Sequence, residues 1–309
     1  MTRWDAVRVR QGIVDSCTSA ERAGDEAVRR GKPREARRHY ERMLANAIRL
    51  AEQFPDLSTR RELSASFAKY GDFWQGAGRP DQAAEAYEEG LAVASRLHEE
   101  HPDDLGVLRN LRDGAFKLGE IAAAGDGRTA RDRYDTALSY AERLADADPR
   151  HRGDRRELGV IQERLGLLAA DRGEHGEAAE WYARALSVHR NLALETPNDP
   201  GTRRDLGVQH ERLGDLALLR RDLETARAHY DEALTIRRAL LGDDPRDLRA
   251  QRALSVLCER LGDVALLADG PDGARQWYDD SFAILDAALG PKHPETRTLR
   301  KKLRSRPTG

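Results

Sequence analysis

The string ERLGLLAA at Glu163 returns as ERLGDLALL at Glu211 and as ERLGDVALL at Glu259, each time 48 residues further on. A chain that repeats itself at such a period stacks copies of one small unit and does not wrap a single globular core. Extending the register by 47 or 48 residues finds glycines at Gly24, Gly71, Gly119, Gly166, Gly214 and Gly262. It also finds tyrosines at Tyr40, Tyr87, Tyr134, Tyr182, Tyr230 and Tyr278. Six units fill nearly all of the 309 residues, which overrides the two-domain expectation that length alone would give.

Each unit holds two apolar-periodic runs separated by a polar break such as AADRGEHGE or LLRRDLET. It closes in a proline-bearing segment: FPD, HPDD, ADPR, TPNDP or DDPR. The pattern reads as helix, turn, helix, stop. In the fifth unit it predicts helix A from about Thr202 to Arg220 and helix B from about Leu223 to Leu241. Glycine inside a helix costs about 1 kcal/mol relative to alanine. Its return at one point of six helices predicts that a neighbouring helix approaches the backbone there. Twelve residues on comes a small residue (Ala36, Ala83, Ala178, Ala226, Ala274), then the tyrosine, then a large apolar residue from Leu44 to Phe282. Small against large at helical spacing predicts interlocking helix pairs.

A Leu-Gly pair, an alanine twelve after the glycine, an aromatic four later and an alanine three after that resemble the tetratricopeptide signature, which LGDLALLRRDLETARAHYDEAL carries whole. The period is longer than the family's usual 34 residues, and longer helices accommodate the excess. The third unit, DGRTARDRYDTAL, is one residue short in its turn, so its small residue slips to Ala130. The final ALGPKHPETRTLRKKL is similar to the linker of kinesin-light-chain-type repeats, which also occur in bacterial regulatory and defence proteins. The resemblance implies an all-α, right-handed α-solenoid occupying residues 1–304 as one domain. Its repeats fall at about 13–55, 56–102, 103–149, 150–197, 198–245 and 246–292, with a capping helix at 293–304. Residues 305–309 are expected to be a disordered tail.

Formal net charge is only −2, so no global field draws the chain to nucleic acid or an anionic membrane. The two cysteines, Cys17 and Cys258, fall in the first and last repeats, too far apart in a solenoid to bridge. With no apolar leader in MTRWDAVRVRQG and no spanning apolar run, the expectation is a reducing, cytoplasmic setting. The preponderance of arginine over lysine reads first as a GC-rich coding bias, in keeping with a bacterial source, and only second as a binding signature.

Catalytic constellations do not emerge. HEEH at His98–His101 has its histidines three apart, not the four of a metal-binding HExxH, and Pro102 follows at once. No glycine-rich phosphate loop, CxxC pair or GxSxG elbow is present. His210 stands where other units have Phe67, Ala115, Gln162 or Cys258, and reads as a residue at the edge of the core. No enzyme activity, cofactor or metal is therefore expected.

The informative feature is a charged stripe on helix A. Two residues before the glycine every unit has a cation: Arg22, Lys69, Lys117, Arg164, Arg212 and Arg260. One residue after it come Asp25, Asp72, Glu120, Leu167, Asp215 and Asp263. Upstream, Arg61, Arg109, Arg156, Arg204 and Arg252 share a third position. On a 3.6-residue helix, Arg204, Val208, Arg212 and Asp215 occupy one narrow face, opposite Leu206, Leu213 and Ala217. In the tetratricopeptide family the A helices line a concave groove that grips a peptide or a partner's helix, so the resemblance implies that this stripe is the groove wall. The competing reading is a solvated ladder of ion pairs within and between units.

The expected function is thus a non-enzymatic scaffold or adaptor that binds a protein or peptide. The alternatives are a nucleic-acid-binding or a self-associating helical repeat protein. The interleaved acids argue against a polyanion. The carboxylate-clamp variant of the fold is not matched, because Glu211, Arg212 and Asp215 offer no asparagine.

Overall fold

In a computed structural model, residues 3–304 are described, and the predicted tail at 305–309 lies outside them. Among the described residues the secondary structure is entirely helical, with twelve helices in sequence. They are α1 (Arg3–Arg29), α2 (Pro33–Gln53), α3 (Leu57–Gly76), α4 (Pro80–Glu100), α5 (Leu105–Ala122) and α6 (Gly127–Ala147). There follow α7 (Arg152–Asp171), α8 (His175–Glu195), α9 (Pro200–Leu219), α10 (Leu223–Asp243), α11 (Leu248–Leu289) and α12 (Pro294–Arg304). The chain divides into two compact units, Met1–Glu157 and Leu158–Gly309, with the division inside α7.

The punctuation read from the sequence acts as local chemistry. Asp56, Asp104, Asp199 and Asp247, from the proline-bearing segments, cap the next helix by accepting backbone N–H bonds from Thr59, Val107, Thr202 and Ala250. Pro33, Pro80 and Pro200 open helices, where the missing N–H costs nothing. In the sixth repeat the turn is a break inside α11: Gly270 has φ 79° and is followed by Pro271. The two arms fold back on each other, because a Cβ on Gly262 would lie 2.3 Å from the ring of Tyr278, sixteen positions on. Along a straight helix those positions are about 24 Å apart.

The same contact recurs in every hairpin and accounts for the repeated glycine. An added Cβ at Gly24, Gly71, Gly119, Gly166, Gly214 or Gly262 would meet the ring of its own hairpin's tyrosine within 2.3–3.0 Å. Only a backbone without a side chain lets helix B seat its aromatic ring there. The small residues predicted to interlock, Ala36, Ala83, Ala130, Ala178, Ala226 and Ala274, are all buried. Ala130 shows that the shortened third turn is absorbed by a one-residue slip.

In the first unit Ala94, Leu97, Val107 and Leu111 form one apolar cluster between α4 and α5. In the second, Tyr230, Leu254, Leu257 and Leu261 belong to a larger one between α10 and α11. Helix α12 closes the second unit by burying Leu299 and Thr296 and by bonding Glu295 to Arg252. Cys17 and Cys258 are both free and buried, and burial pushes the Cys258 thiol up to about 11.

Candidate functional site

The first charged row, one residue after the glycine, completes the tyrosine contact. Tyr87, Tyr230 and Tyr278 donate their hydroxyls to Asp72, Asp215 and Asp263 at 2.7–2.8 Å, Tyr134 donates to Glu120 at 2.8 Å, and Tyr40 donates to Asp25. The fourth hairpin has Leu167 at that position. Burial together with the neighbouring carboxylate raises the tyrosine pKa, most clearly at Tyr87 and Tyr230. The hydroxyl therefore stays a donor at any ordinary pH.

The second row, two residues before the glycine, pairs backwards onto the preceding hairpin. Lys69 meets Glu21 at 2.6 Å, Lys117 meets Asp72 at 2.8 Å, and Arg212 meets Glu163 at 3.2 Å. Arg260 meets both Glu211 at 2.8 Å and Asp215 at 3.0 Å. Arg164 lies 3.6 Å from its neighbour Glu163.

The third row pairs forwards. Arg61 reaches Asp104 at 3.1 Å and Arg204 reaches Asp247 at 3.7 Å, in each case the carboxylate that caps the next helix A. Arg109 reaches Asp154 at 2.7 Å and Arg252 reaches Glu295 at 2.6 Å. Arg156, in the same row, is exposed. Hairpin two is thus tied to hairpin three, and hairpin five to hairpin six, by two cations running in opposite directions along the chain.

These pairs leave the stripe accessible. The side chains of Lys69, Lys117, Arg164, Arg204, Arg212, Arg252 and Arg260 keep between 25 and 42% of their surface in solvent. Val208 and Val160 are half-buried between the charges, while Val256 and Leu219 are exposed. In the second unit the A helices therefore present paired guanidinium groups beside these apolar residues.

Sequence reasoning missed a group of side chains in the first unit. Arg112 is 6% exposed and occupies a position filled by Cys17, Ser64, Gly159, Gly207 and Ser255 in the other repeats. It bonds Asp113 at 2.8 Å and the buried Asp154 at 2.7 Å. The paired guanidiniums of Arg109 and Arg112 hold the Asp154 carboxyl below its usual range, despite the opposing effect of burial. In front of Arg112 lies a cavity of about 410 Å³ with Ala65, Ala68, Gly90, Leu91, Gly114 and Phe116 among its walls. Lys69, Lys117 and Glu157 also line it, and burial raises the Glu157 carboxyl above its usual range.

The signal for this cavity is in the repeats. Three residues before the glycine, Glu21, Glu163, Glu211 and Glu259 give way to Ala68 and Phe116 in the second and third units alone. Among the described residues no cluster of three or more His, Cys, Asp or Glu is placed to hold a metal ion. No described helix is long and apolar enough to cross a membrane.

Residues 206–266 match the tetratricopeptide repeat family model. A comparison with curated protein sequences gave no match. Solved structures share the fold across nearly the whole chain. BtubC (BKLC) from P. vanneervenii is 21% identical with a TM-score of 0.58, covering 91% of this chain and 94% of its own. The S. pombe nuclear import adaptor Nro1 is 9% identical with a TM-score of 0.58, covering 95% and 99%. PilW, a type IV pilus biogenesis factor, is 14% identical with a TM-score of 0.50, covering 92% and 98%. Residues 206–266 thus match the tetratricopeptide repeat, and the same glycine–tyrosine contact recurs in all six hairpins of a fold shared with these solved structures.

Proposed function

We propose that this protein is a non-enzymatic scaffold or adaptor whose A-helix face receives a peptide or a partner protein. The fold is one typical of protein–protein interaction scaffolds and adaptors, and Nro1, which shares it, is itself a nuclear import adaptor. The observation that carries the reading is the stripe. Its cations are held in place by their partners yet keep a quarter to two-fifths of their surface free, and apolar residues lie beside them. Charged groups pre-positioned in this way bind directionally with little loss of side-chain entropy, and the intervening valines supply burial.

The six repeats at 13–292 and the cap are read as one domain, working in the cytoplasm of a bacterium within a regulatory or defence system. The two buried free thiols and the kinesin-light-chain-like linker support that setting. The bound segment should carry both signs of charge, because each exposed cation stands beside a carboxylate. The same pairing argues against a polyanion.

Affinity capture followed by mass spectrometry tests the reading. It compares the wild type with a combined Lys117→Glu, Arg164→Glu, Arg212→Glu and Arg260→Glu variant. Because those changes also break the ion pairs, a second variant, Val208→Glu with Val256→Glu, alters the face without touching a described pair. Circular dichroism must show equal helicity in all three. A partner retained by both variants would remove this face from consideration and direct attention to the B helices or the ends of the stack.

A further inference from the structure

We propose that the cavity beside Arg112 takes one basic side chain, Lys or Arg, from the bound protein segment, with Glu157 as its counter-ion. The proposal deepens the reading of the A-helix face as a protein-binding surface and rests on it. Every cation at this cavity is already committed. Lys69 is held by Glu21, Lys117 by Asp72, and Arg112 by Asp113 and Asp154. Glu157 lines the same space and is half-buried; the charges of Arg112, Arg156 and Lys117 act on it, but among the described residues no hydrogen bond or ion pair reaches it. A partly desolvated carboxylate whose nearby cations bond other groups is a costly arrangement, and an incoming cation that bonds it directly relieves it.

The walls fit the rest of such a side chain. Ala65, Ala68, Leu91 and Phe116 offer apolar surface to a methylene stem whose charged head reaches a carboxylate. A volume of about 410 Å³ admits one long side chain, being at the low end of the range of about 300–1,000 Å³ for small-molecule sites. The flanking Lys69 and Lys117, 40 and 34% exposed, would repel a second cation, so the segment carries an isolated basic residue and not a polybasic run.

Isothermal titration calorimetry with capped pentapeptides of alanine, varied only at the central position, tests this on the full chain. Peptides with central Arg or Lys should bind about ten-fold or more tightly than those with citrulline or Glu, as expected for one charge-assisted contact. Glu157→Gln should reduce Arg to the level of citrulline. Gly114→Leu, which places there the residue that the sixth repeat has as Leu257, should fill the cavity and abolish the preference. Because a Cβ at Gly114 would sit 3.2 Å from Leu91, its helicity is checked first, and Glu157→Gln decides alone if it misfolds.

Equal affinity for Arg and citrulline, an Arg preference untouched by Glu157→Gln, or no binding at about 5 mM peptide would overturn the proposal. If the preference is absent while a captured partner still depends on Val208 and Val256, the surface reading survives and the cavity reading fails. If the preference is present but no partner depends on the stripe, the reverse holds.

Discussion

Hairpins two and three carry the same glycine, tyrosine and carboxylate as hairpins five and six, yet the space beside that contact is built in opposite ways. In the fifth hairpin Glu211 accepts from the buried Arg237 of its own helix B and from Arg260 of the next hairpin, so both carboxylate oxygens are used. The register of the repeats places Ala94 opposite Arg237, Ala68 opposite Glu211 and Gly114 opposite Leu257. Where the fifth and sixth hairpins put an ion pair and a leucine, the second and third leave a cavity, with Glu157 beside it. The repeated core fixes how helices stack, while a few positions outside it decide whether a surface is closed or open.

The largest test of that contrast is removal of one carboxylate from each region. Glu211→Ala strands the buried Arg237 and should cost about 3–5 kcal/mol, read as a fall in the thermal or urea midpoint. Glu157→Gln should leave the midpoint unchanged or raise it at pH 7. Burial raises the folded-state pKa of Glu157, so its contribution is full below the unfolded value and is lost as pH rises through the folded one. Equal destabilisation by the two changes would erase the distinction between the regions.

The shared element should respond alike on both sides. Gly71→Ala and Gly214→Ala each place a methyl 2.5 Å from a tyrosine ring, and each should cost about 1–3 kcal/mol in urea unfolding. A large effect at one and none at the other would show that the glycine contact does not define the repeat.

A smaller, pH-dependent effect belongs to the fifth hairpin. Nδ1 of His210 lies 3.2 Å from Nδ1 of His229, a contact that needs at least one neutral ring to accept. Burial lowers both pKa values, and at His210 so does the neighbouring His229, with Glu232 opposing and Arg190 reinforcing the shift. The unfolded chain takes up those protons near pH 6.5, so the stability is full above that pH and declines as pH falls below it. The melting midpoint between pH 7.5 and 5.5 should therefore drop less in His210→Gln than in the wild type.

The smallest effect is expected at the exposed end of the ladder. Arg252→Ala, removing a pair with Glu295 in which both side chains are more than two-fifths exposed, should cost at most about 1 kcal/mol. Added salt should shrink even that difference, as melting at low and high ionic strength would show.

Much of this was legible in the chain. The glycine–tyrosine register announced the helix contact, the proline-bearing segments announced the caps, and the three charged rows stood at the predicted positions of helix A. The fifth hairpin runs from Pro200 to Leu219 and from Leu223 to Asp243, within two residues of the spans read from its periodicity. The partners of the charges were less legible. The spacing of Arg212 and Asp215 suits a pair within one helix, whereas Arg212 meets Glu163 and Asp215 is bonded by Tyr230 and Arg260.

By itself the sequence determined the repeat, the helices and the residues that face each other within a hairpin, because those follow from a local period and from the size of a glycine against a ring. Which carboxylate each cation takes, and that Glu157 stands at an open cavity, was decided only in the tertiary structure. Charged side chains reach across hairpins over several ångströms, and several partners stand within that reach. Only the packed positions of small wall residues such as Ala68 and Gly114 leave the cavity unfilled.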